Sequence, residues 1–61
     1  MKNTIRVERA KKRISQKELA EELGMTTQAI HLIEVGKSDP KLNTAFRIAK
    51  FFKLKIGELF N

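Results

Sequence analysis

Apolar residues recur at helical spacing in two short stretches of the chain that meet at Gly24. In each stretch they stand at i, i+1 and i+4, which collects them on one face of a helix of about two turns. The two faces consist of Leu19, Ala20 and Leu23 and of Ala29, Ile30 and Ile33. The pattern therefore predicts two consecutive helices, each with one side packed against the rest of the protein.

Local signals mark where these two helices begin and end. Ser15 and Glu18 have the spacing of a capping box, in which each side chain binds the other residue's main-chain amide. Gly24 ends the first helix, because glycine adopts the left-handed conformation at little cost, and Thr26 is a suitable cap for the second. Helices joined by so short a turn cross steeply, which leaves the outward face of the second free to enter a DNA major groove. The stretch from Ser15 to Glu34 is thus a helix-turn-helix pattern.

Three further helices are predicted around this unit. They run from Asn3 or Thr4 to about Arg13, from about Leu42 to Phe52, and from about Ile56 to Phe60. Pro40 disfavours helix at Asp39, and Gly57 weakens the last helix by about 1 kcal/mol relative to alanine. The fold class is therefore all-α, with five helices in one domain over residues 1–61. We expect the core to contain Ile5, Leu19, Ala20, Leu23, Ala29, Ile30, Ile33, Leu42, Phe46, Ile48, Ala49, Phe52, Leu54, Ile56 and Leu59.

Composition excludes several kinds of site. The 61 residues include no cysteine and one histidine, so neither a disulfide nor a cysteine or histidine metal cluster is available. We expect no cofactor and no metal. No apolar run approaches the roughly 18 residues of a membrane span, and no signal peptide precedes the first helix, so we expect a soluble, cytoplasmic protein. At this length a ligand pocket is hard to build, and no small-molecule effector is expected.

The charge is strongly positive and unevenly distributed. Thirteen Lys and Arg against seven Asp and Glu give +6 and a pI near 10.1. Residues 1–13 carry six positive charges and one negative, residues 14–36 carry one and four, and residues 37–61 carry six and two. This suits a protein whose flanks bind phosphates while its middle contacts bases. A merely solvated basic surface is the alternative reading of charge alone.

The chain resembles the helix-turn-helix family of phage repressors, Cro proteins and small regulators, also called the XRE family. The matching segments are SQKELAEELGMTTQAI, then IE-V-GKSDP, then LNTAFRIAKFF and the final ELF. The resemblance implies a lambda-repressor-like fold of five helices and a DNA-binding transcriptional regulator, most often a repressor, on the nucleoid of a prokaryote or in a phage. It also implies a partly buried ion pair between Arg9 and Glu34, for which the alternative is two unrelated surface charges. The chain departs from the family where Lys53 replaces a frequent helix-ending glycine.

The third helix, at about residues 27–35, is the expected recognition helix in the major groove. Its exposed side supplies the candidates for base contacts: Thr27, Gln28, His31 and Leu32. Among them, Gln28 suits adenine because a side-chain amide pairs with N6 and N7 together. Phosphate contacts are expected from helix N-termini and from the basic loop after the third helix. These candidates are Ser15, Gln16, Thr26, Lys37, Ser38, Lys41 and Asn43.

Relatives bind palindromic DNA as symmetric dimers, and the resemblance implies a homodimer here. Phe51, Leu59 and Phe60 are the predicted interface, with the two phenylalanines forming an exposed aromatic patch at the last helix. The alternative is that Phe51 and Phe60 fold back onto their own core.

A second class of function is a protein-interaction module, such as an antitoxin, whose main partner is another protein. Association with a stoichiometric partner would separate it from a regulator that acts through DNA alone. An enzyme is not expected, because the neighbouring carboxylates Glu18, Glu21 and Glu22 lie on a helix surface. The chain also offers no nucleophile–histidine pair and no glycine-rich phosphate loop.

Overall fold

The computed structural model describes residues 1–60, and these form five α-helices without a β-strand. The helices are α1 (Ile5–Lys12), α2 (Gln16–Leu23), α3 (Thr27–Glu34), α4 (Leu42–Phe51) and α5 (Ile56–Leu59). This confirms the predicted all-α class and the order of the helices. Several helices end one residue earlier than predicted, because the residue that follows acts as the cap. Asn61, the last residue of the predicted domain, lies outside the described residues.

Each of the five helices contributes one side chain that is fully enclosed. These are Ile5, Leu19, Ile30, Ile48 and Leu59, each with at most 1% of its surface exposed. Around them pack Ala20, Leu23, Ile33, Ala45, Ala49, Phe52 and Phe60, which are also buried. The core therefore draws every helix, including the short α5, into a single cluster.

Helix α2 is capped at both ends by hydrogen bonds. The capping box of α2 is confirmed: the Glu18 amide donates to Ser15 Oγ at 3.0 Å, and the Ser15 amide donates to Glu18 Oε1 at 2.9 Å. At the other end, Gly24 has φ +67° and the next amide, that of Met25, returns to the Ala20 carbonyl at 2.8 Å. The cap at Gly24 therefore sets the direction in which the main chain leaves α2 toward α3.

The predicted core is wrong for two residues of α4. Leu42 is 67% exposed and Phe46 is 53% exposed. Successive helical residues are turned by about 100°, and the buried face of α4 is centred on Ala45, Ile48 and Ala49. Phe46 falls beside that face rather than within it, and no helix in residues 1–60 covers it. Spacing alone does not distinguish the buried stripe of α4 from the exposed stripe of Leu42 and Phe46 beside it.

The predicted aromatic patch on α5 is also wrong, because Phe60 is buried with 7% exposed. The segment before α1 pairs with this part of the chain: Asn3 forms an antiparallel bridge with Phe60, and the Thr4 amide donates to the Leu59 carbonyl at 2.9 Å. The end of α5 is thus held by residues 3 and 4. Phe51 is half-buried and meets Phe52 edge-on at 5.1 Å between ring centroids.

Side-chain hydrogen bonds to main-chain atoms tie distant parts of the fold together. Asn3 Oδ1 accepts from the amide of Ile5, the first residue of α1, at 3.1 Å, and its Nδ2 donates to the Ile33 carbonyl at 2.8 Å. On the other side, Arg47 donates to the Leu23 carbonyl at the end of α2. None of the helices in the described part of the chain is long and apolar enough to cross a bilayer.

Candidate nucleic-acid interface

One side of α3 is buried and the opposite side is open to solvent. Ile30 and Ile33 hold the helix in the core, with 0% and 4% exposed. Thr27, Gln28 and His31 are exposed, whereas Leu32 is half-buried. Of the four predicted base-contacting residues, three therefore have exposed side chains, and Leu32 offers only part of its surface.

The start of α3 and the start of α2 both carry hydroxyl caps. Thr26 Oγ1 accepts from the Ala29 amide at 3.1 Å, as Ser15 Oγ does for α2. A hydroxyl that accepts in this way keeps its own hydrogen, so both exposed caps remain able to donate to a phosphate. The main-chain amides of the first helical turn, which lack intrahelical partners, add further donors.

The loop after α3 is folded back onto the end of that helix. The amides of Lys37 and Ser38 both donate to the Leu32 carbonyl, at 3.0 and 3.2 Å. Gly36 permits this reversal with φ +79°. The predicted phosphate-contacting residues of this region are all exposed: Lys37, Ser38, Lys41 and Asn43. The fixed loop therefore carries its lysine at a set position relative to the exposed side of α3.

Arg9 and Glu34 form a double hydrogen-bonded ion pair that joins α1 to the end of α3. Arg9 Nε donates to Glu34 Oε2 at 2.6 Å, and Nη2 donates to Oε1 at 3.1 Å. The side chains are 15% and 3% exposed. The remaining guanidinium nitrogen, Nη1, donates to the Ile14 carbonyl at 3.0 Å. The hydrogen bond to Glu34 raises the pKa of Arg9 above its ordinary value, so the guanidinium stays charged.

Gln16 extends this ion pair to the exposed side of α3. Its Nε2 donates to Glu34 Oε1 at 3.2 Å and lies 3.4 Å from His31 Nδ1. The side-chain amide of Gln16 is therefore turned toward internal partners. A phosphate contact by this residue then falls to its main-chain amide, at the first position of α2.

Sequence reasoning missed this role of Gln16, because residues 16 and 34 are brought together only by the crossing of α2 and α3. On α1, the i, i+4 spacing of Glu8 and Lys12 favours a surface ion pair between these two residues. Glu8 instead accepts from Lys11 at 3.2 Å, while Lys12 Nζ stands 5.8 Å from the centre of the Phe51 ring. Lys12 therefore lies over the ring of Phe51, a predicted interface residue, and does not pair with Glu8.

The fold and the exposed side of α3 define a helix-turn-helix protein. A family model described as Helix-turn-helix matches residues 5–59, and the chain belongs to that family. An uncharacterized HTH-type transcriptional regulator of Methanocaldococcus jannaschii is 48% identical over 60 residues, which cover 98% of this chain and 91% of that protein. An uncharacterized HTH-type regulator of Archaeoglobus fulgidus is 40% identical, covering 98% and 86%, and YgzD of Bacillus subtilis, with the same description, is 38% identical, covering 98% and 91%.

Family membership confirms the predicted class of protein. The helix-turn-helix regulators are DNA-binding proteins and not enzymes, which agrees with the prediction drawn from the residues. The match spans all five helices, so it includes the ion pair, the turn and the loop described above.

Proposed function

We propose that this protein is a sequence-specific regulator of transcription, a repressor, that inserts α3 into the major groove of double-stranded DNA. The observation that supports this most is the division of α3 between a buried inner face and an exposed outer face. A helix of this kind is held rigidly by Ile30 and Ile33 while it offers Thr27, Gln28 and His31 to base edges.

In this proposal Gln28 contributes most of the base preference. Its side-chain amide can donate an N–H to adenine N7 and accept from the adenine N6 amino group, both of which face the major groove. Thr27 contacts a thymine methyl or a nearby phosphate, and His31 contacts the next base along the helix. The half-buried Leu32 adds apolar contact only where a thymine methyl approaches it.

Phosphates are held on two sides of the recognition helix. On one side are Ser15 Oγ, Thr26 Oγ1 and the main-chain amide of Gln16. On the other are the loop residues Lys37, Ser38, Lys41 and Asn43. These contacts position the protein on the duplex without reading its sequence. The positive charge of Lys37 makes part of the affinity dependent on salt.

The protein binds as a homodimer to a palindromic operator, because one domain covers too few base pairs for useful affinity. Of the predicted interface residues Phe51, Leu59 and Phe60, the last two are buried within one chain. The dimer contact proposed here therefore rests on Phe51 and the Lys12 side chain that stacks on it. The working protein is proposed to reside in the cytoplasm, bound to the nucleoid.

Selection of bound duplexes from a random DNA pool tests the proposal. We expect an enriched sequence with two inverted half-sites whose centres lie about one helical turn apart. Sedimentation of the protein with the selected duplex should give two chains per duplex, and Phe51→Ser should weaken this assembly. A pool without enrichment would contradict sequence-specific binding. One chain per duplex would contradict the dimer alone.

A further inference from the structure

Met25 lies in the turn between α2 and α3, with a constrained residue on either side of it. Gly24 before it has φ +67°, and Thr26 after it caps α3 by accepting from the Ala29 amide at 3.1 Å. The Met25 amide itself donates to the Ala20 carbonyl at 2.8 Å. A displacement of Met25 therefore acts directly on the residue from which the proposed recognition helix starts.

The side chain of Met25 is both packed and accessible. It lies against the core cluster of buried side chains, and part of its surface remains exposed. The thioether is apolar and flexible, which suits an irregular contact at the edge of a core. Because the residue is partly exposed, a small oxidant reaches it from solvent without unfolding of the domain.

Oxidation of sulfur in this chain is confined to two residues. The 61 residues include no cysteine and two methionines, Met1 and Met25. Met1 is 48% exposed and is not among the described residues that form the core cluster or pack against it. An oxidant that attacks sulfur therefore meets one methionine that supports the fold at the turn and one that serves as an internal control.

We propose that Met25 is an oxidation site through which peroxides weaken the binding of DNA. The Met25 sulfur gives an electron pair to one oxygen of hydrogen peroxide, the O–O bond breaks, and the products are the sulfoxide and water. The sulfoxide is polar, so its burial against apolar side chains without a hydrogen-bond donor is unfavourable. The oxidised side chain turns out to solvent, and the main chain at residues 24–26 moves with it. The start of α3 is then displaced from its position for binding.

The change is reversible. Two thiols reduce the sulfoxide to the thioether, are themselves oxidised to a disulfide, and release the oxygen as water in the reaction that methionine sulfoxide reductases catalyse. The effect on DNA rests on the proposed function, because it acts through the placement of α3. The effect on the packing of the turn does not, so thermal unfolding is measured beside DNA binding.

Treatment of the whole chain with hydrogen peroxide tests the proposal. Peptide mass spectrometry gives the fraction of sulfoxide at Met1 and at Met25. Affinity for the selected duplex is measured at a temperature where circular dichroism shows both forms folded. Oxidation of Met25 should weaken binding by about tenfold or more, the size expected when an unpaired polar group replaces an apolar contact. It should also lower the melting temperature, and a methionine sulfoxide reductase with a dithiol should restore both values.

Two variants separate Met25 from other targets of peroxide. Met25→Leu keeps a similar apolar volume without sulfur, so it should retain its affinity after the same treatment although its Met1 is oxidised. Met25→Gln places a polar side chain of similar length in the turn without any oxidant. It should therefore bind and melt like the oxidised wild type.

Several results would overturn the proposal. They include full affinity of the wild type with Met25 oxidised, a peroxide effect of the same size in Met25→Leu, and a Met25 that stays reduced while Met1 is oxidised. A wild type that binds no duplex before treatment would contradict the proposed function itself. In that case a lower melting temperature after oxidation, absent from Met25→Leu, would still support the oxidation-sensitive contact at the turn, and an unchanged one would overturn it.

Discussion

Gln16 donates to Glu34 Oε1 at 3.2 Å, the same carboxylate oxygen that Arg9 Nη2 contacts at 3.1 Å. The Glu34 carboxylate therefore links α1 and α2 to the C-terminal end of α3, the proposed recognition helix. Because Glu34 has only 3% of its side chain exposed, a loss of its partners leaves a charge without compensation. The group connects the packing of the domain to the placement of the helix that is proposed to meet DNA.

Removing one partner of the ion pair should destabilise the domain strongly. Arg9→Met and Glu34→Gln are each expected to lower the free energy of unfolding by about 3–5 kcal/mol, because the remaining charge is left in a desolvated site. The double variant should recover part of this loss. A double-mutant cycle from urea unfolding measures the coupling. Additive losses of a few tenths of a kcal/mol would show instead that the two charges act independently.

Substitutions at Gln28 and Lys37 should separate base contacts from phosphate contacts. Gln28→Ala is expected to cost about 1–3 kcal/mol on the preferred duplex and to relax preference at one base position in each half-site. Lys37→Ala should weaken all duplexes alike and reduce the salt slope by about one unit. Fluorescence anisotropy on preferred and scrambled duplexes at several salt concentrations measures both. Equal losses on both duplexes for Gln28→Ala would remove its proposed role.

Asn3 should contribute to stability more than its place near the chain end suggests. Its side chain accepts from the Ile5 amide and donates to the Ile33 carbonyl, so Asn3→Ala leaves the Ile5 amide without this partner and leaves the Ile33 carbonyl with only the Gly36 amide. The expected loss is about 1–3 kcal/mol in unfolding free energy. Asn43→Ala is the matched control, since Asn43 is exposed, and should stay within about 0.5 kcal/mol. Similar melting temperatures for both variants would contradict this prediction.

Glycine at residue 53 should stabilise the protein. Lys53 has φ +58° at the end of α4, where the Leu54 amide returns to the Ala49 carbonyl at 2.9 Å. The left-handed conformation costs a residue with a Cβ about 1–2 kcal/mol, so Lys53→Gly should gain up to about 1 kcal/mol after the entropy of the unfolded chain is counted. Lys53→Ala keeps the strain and should gain nothing.

Gly24 provides the reciprocal test of the same effect. It has φ +67° at the end of α2, and an added Cβ there would meet nothing within 4 Å. Gly24→Ala should therefore lose about 1 kcal/mol from backbone strain alone. Thermal melts of these variants at one pH give the comparison. A gain in Lys53→Ala equal to that in Lys53→Gly would show that the lysine side chain, and not its backbone, is unfavourable.

The α2–α3 unit could be predicted from the sequence because its signals are local. A capping box, a left-handed glycine and two apolar stripes each act within a few residues of the chain, and the structure contains all of them. The surroundings of Phe46 and Phe60 could not be predicted in this way. Both lie at helical spacing beside buried residues, and what decides their exposure is whether a distant segment covers them. Residues 3 and 4 pair with residues 59 and 60, whereas no helix of the described chain covers Phe46.

The exposed outer side of α3 followed from the same local pattern, but the internal contacts of Gln16 did not. The sequence indicates that Gln16 begins α2, which suggests a free polar side chain at a helix start. Only the crossing of α2 and α3 brings its amide to Glu34 and beside His31. The chemistry of one side chain therefore depended on tertiary geometry that no spacing rule contains.

The antiparallel bridge between Asn3 and Phe60 joins residues that lie almost a whole chain apart. Contacts of such large sequence separation close late in folding, whereas the α2–α3 unit forms from neighbouring residues. We therefore expect the segment around Asn3 to be unattached in the folding transition state. Asn3→Ala, which removes the side-chain bond from this segment to the Ile33 carbonyl, should then speed unfolding and leave the folding rate nearly unchanged. Stopped-flow chevrons would show this as a shift of the unfolding limb alone, and a matching shift of the folding limb would show that the segment is already attached in the transition state. The contacts that hold residues 3 and 4 to the rest of the fold would then determine the lifetime of the folded protein, through its unfolding rate, and not the speed at which it folds.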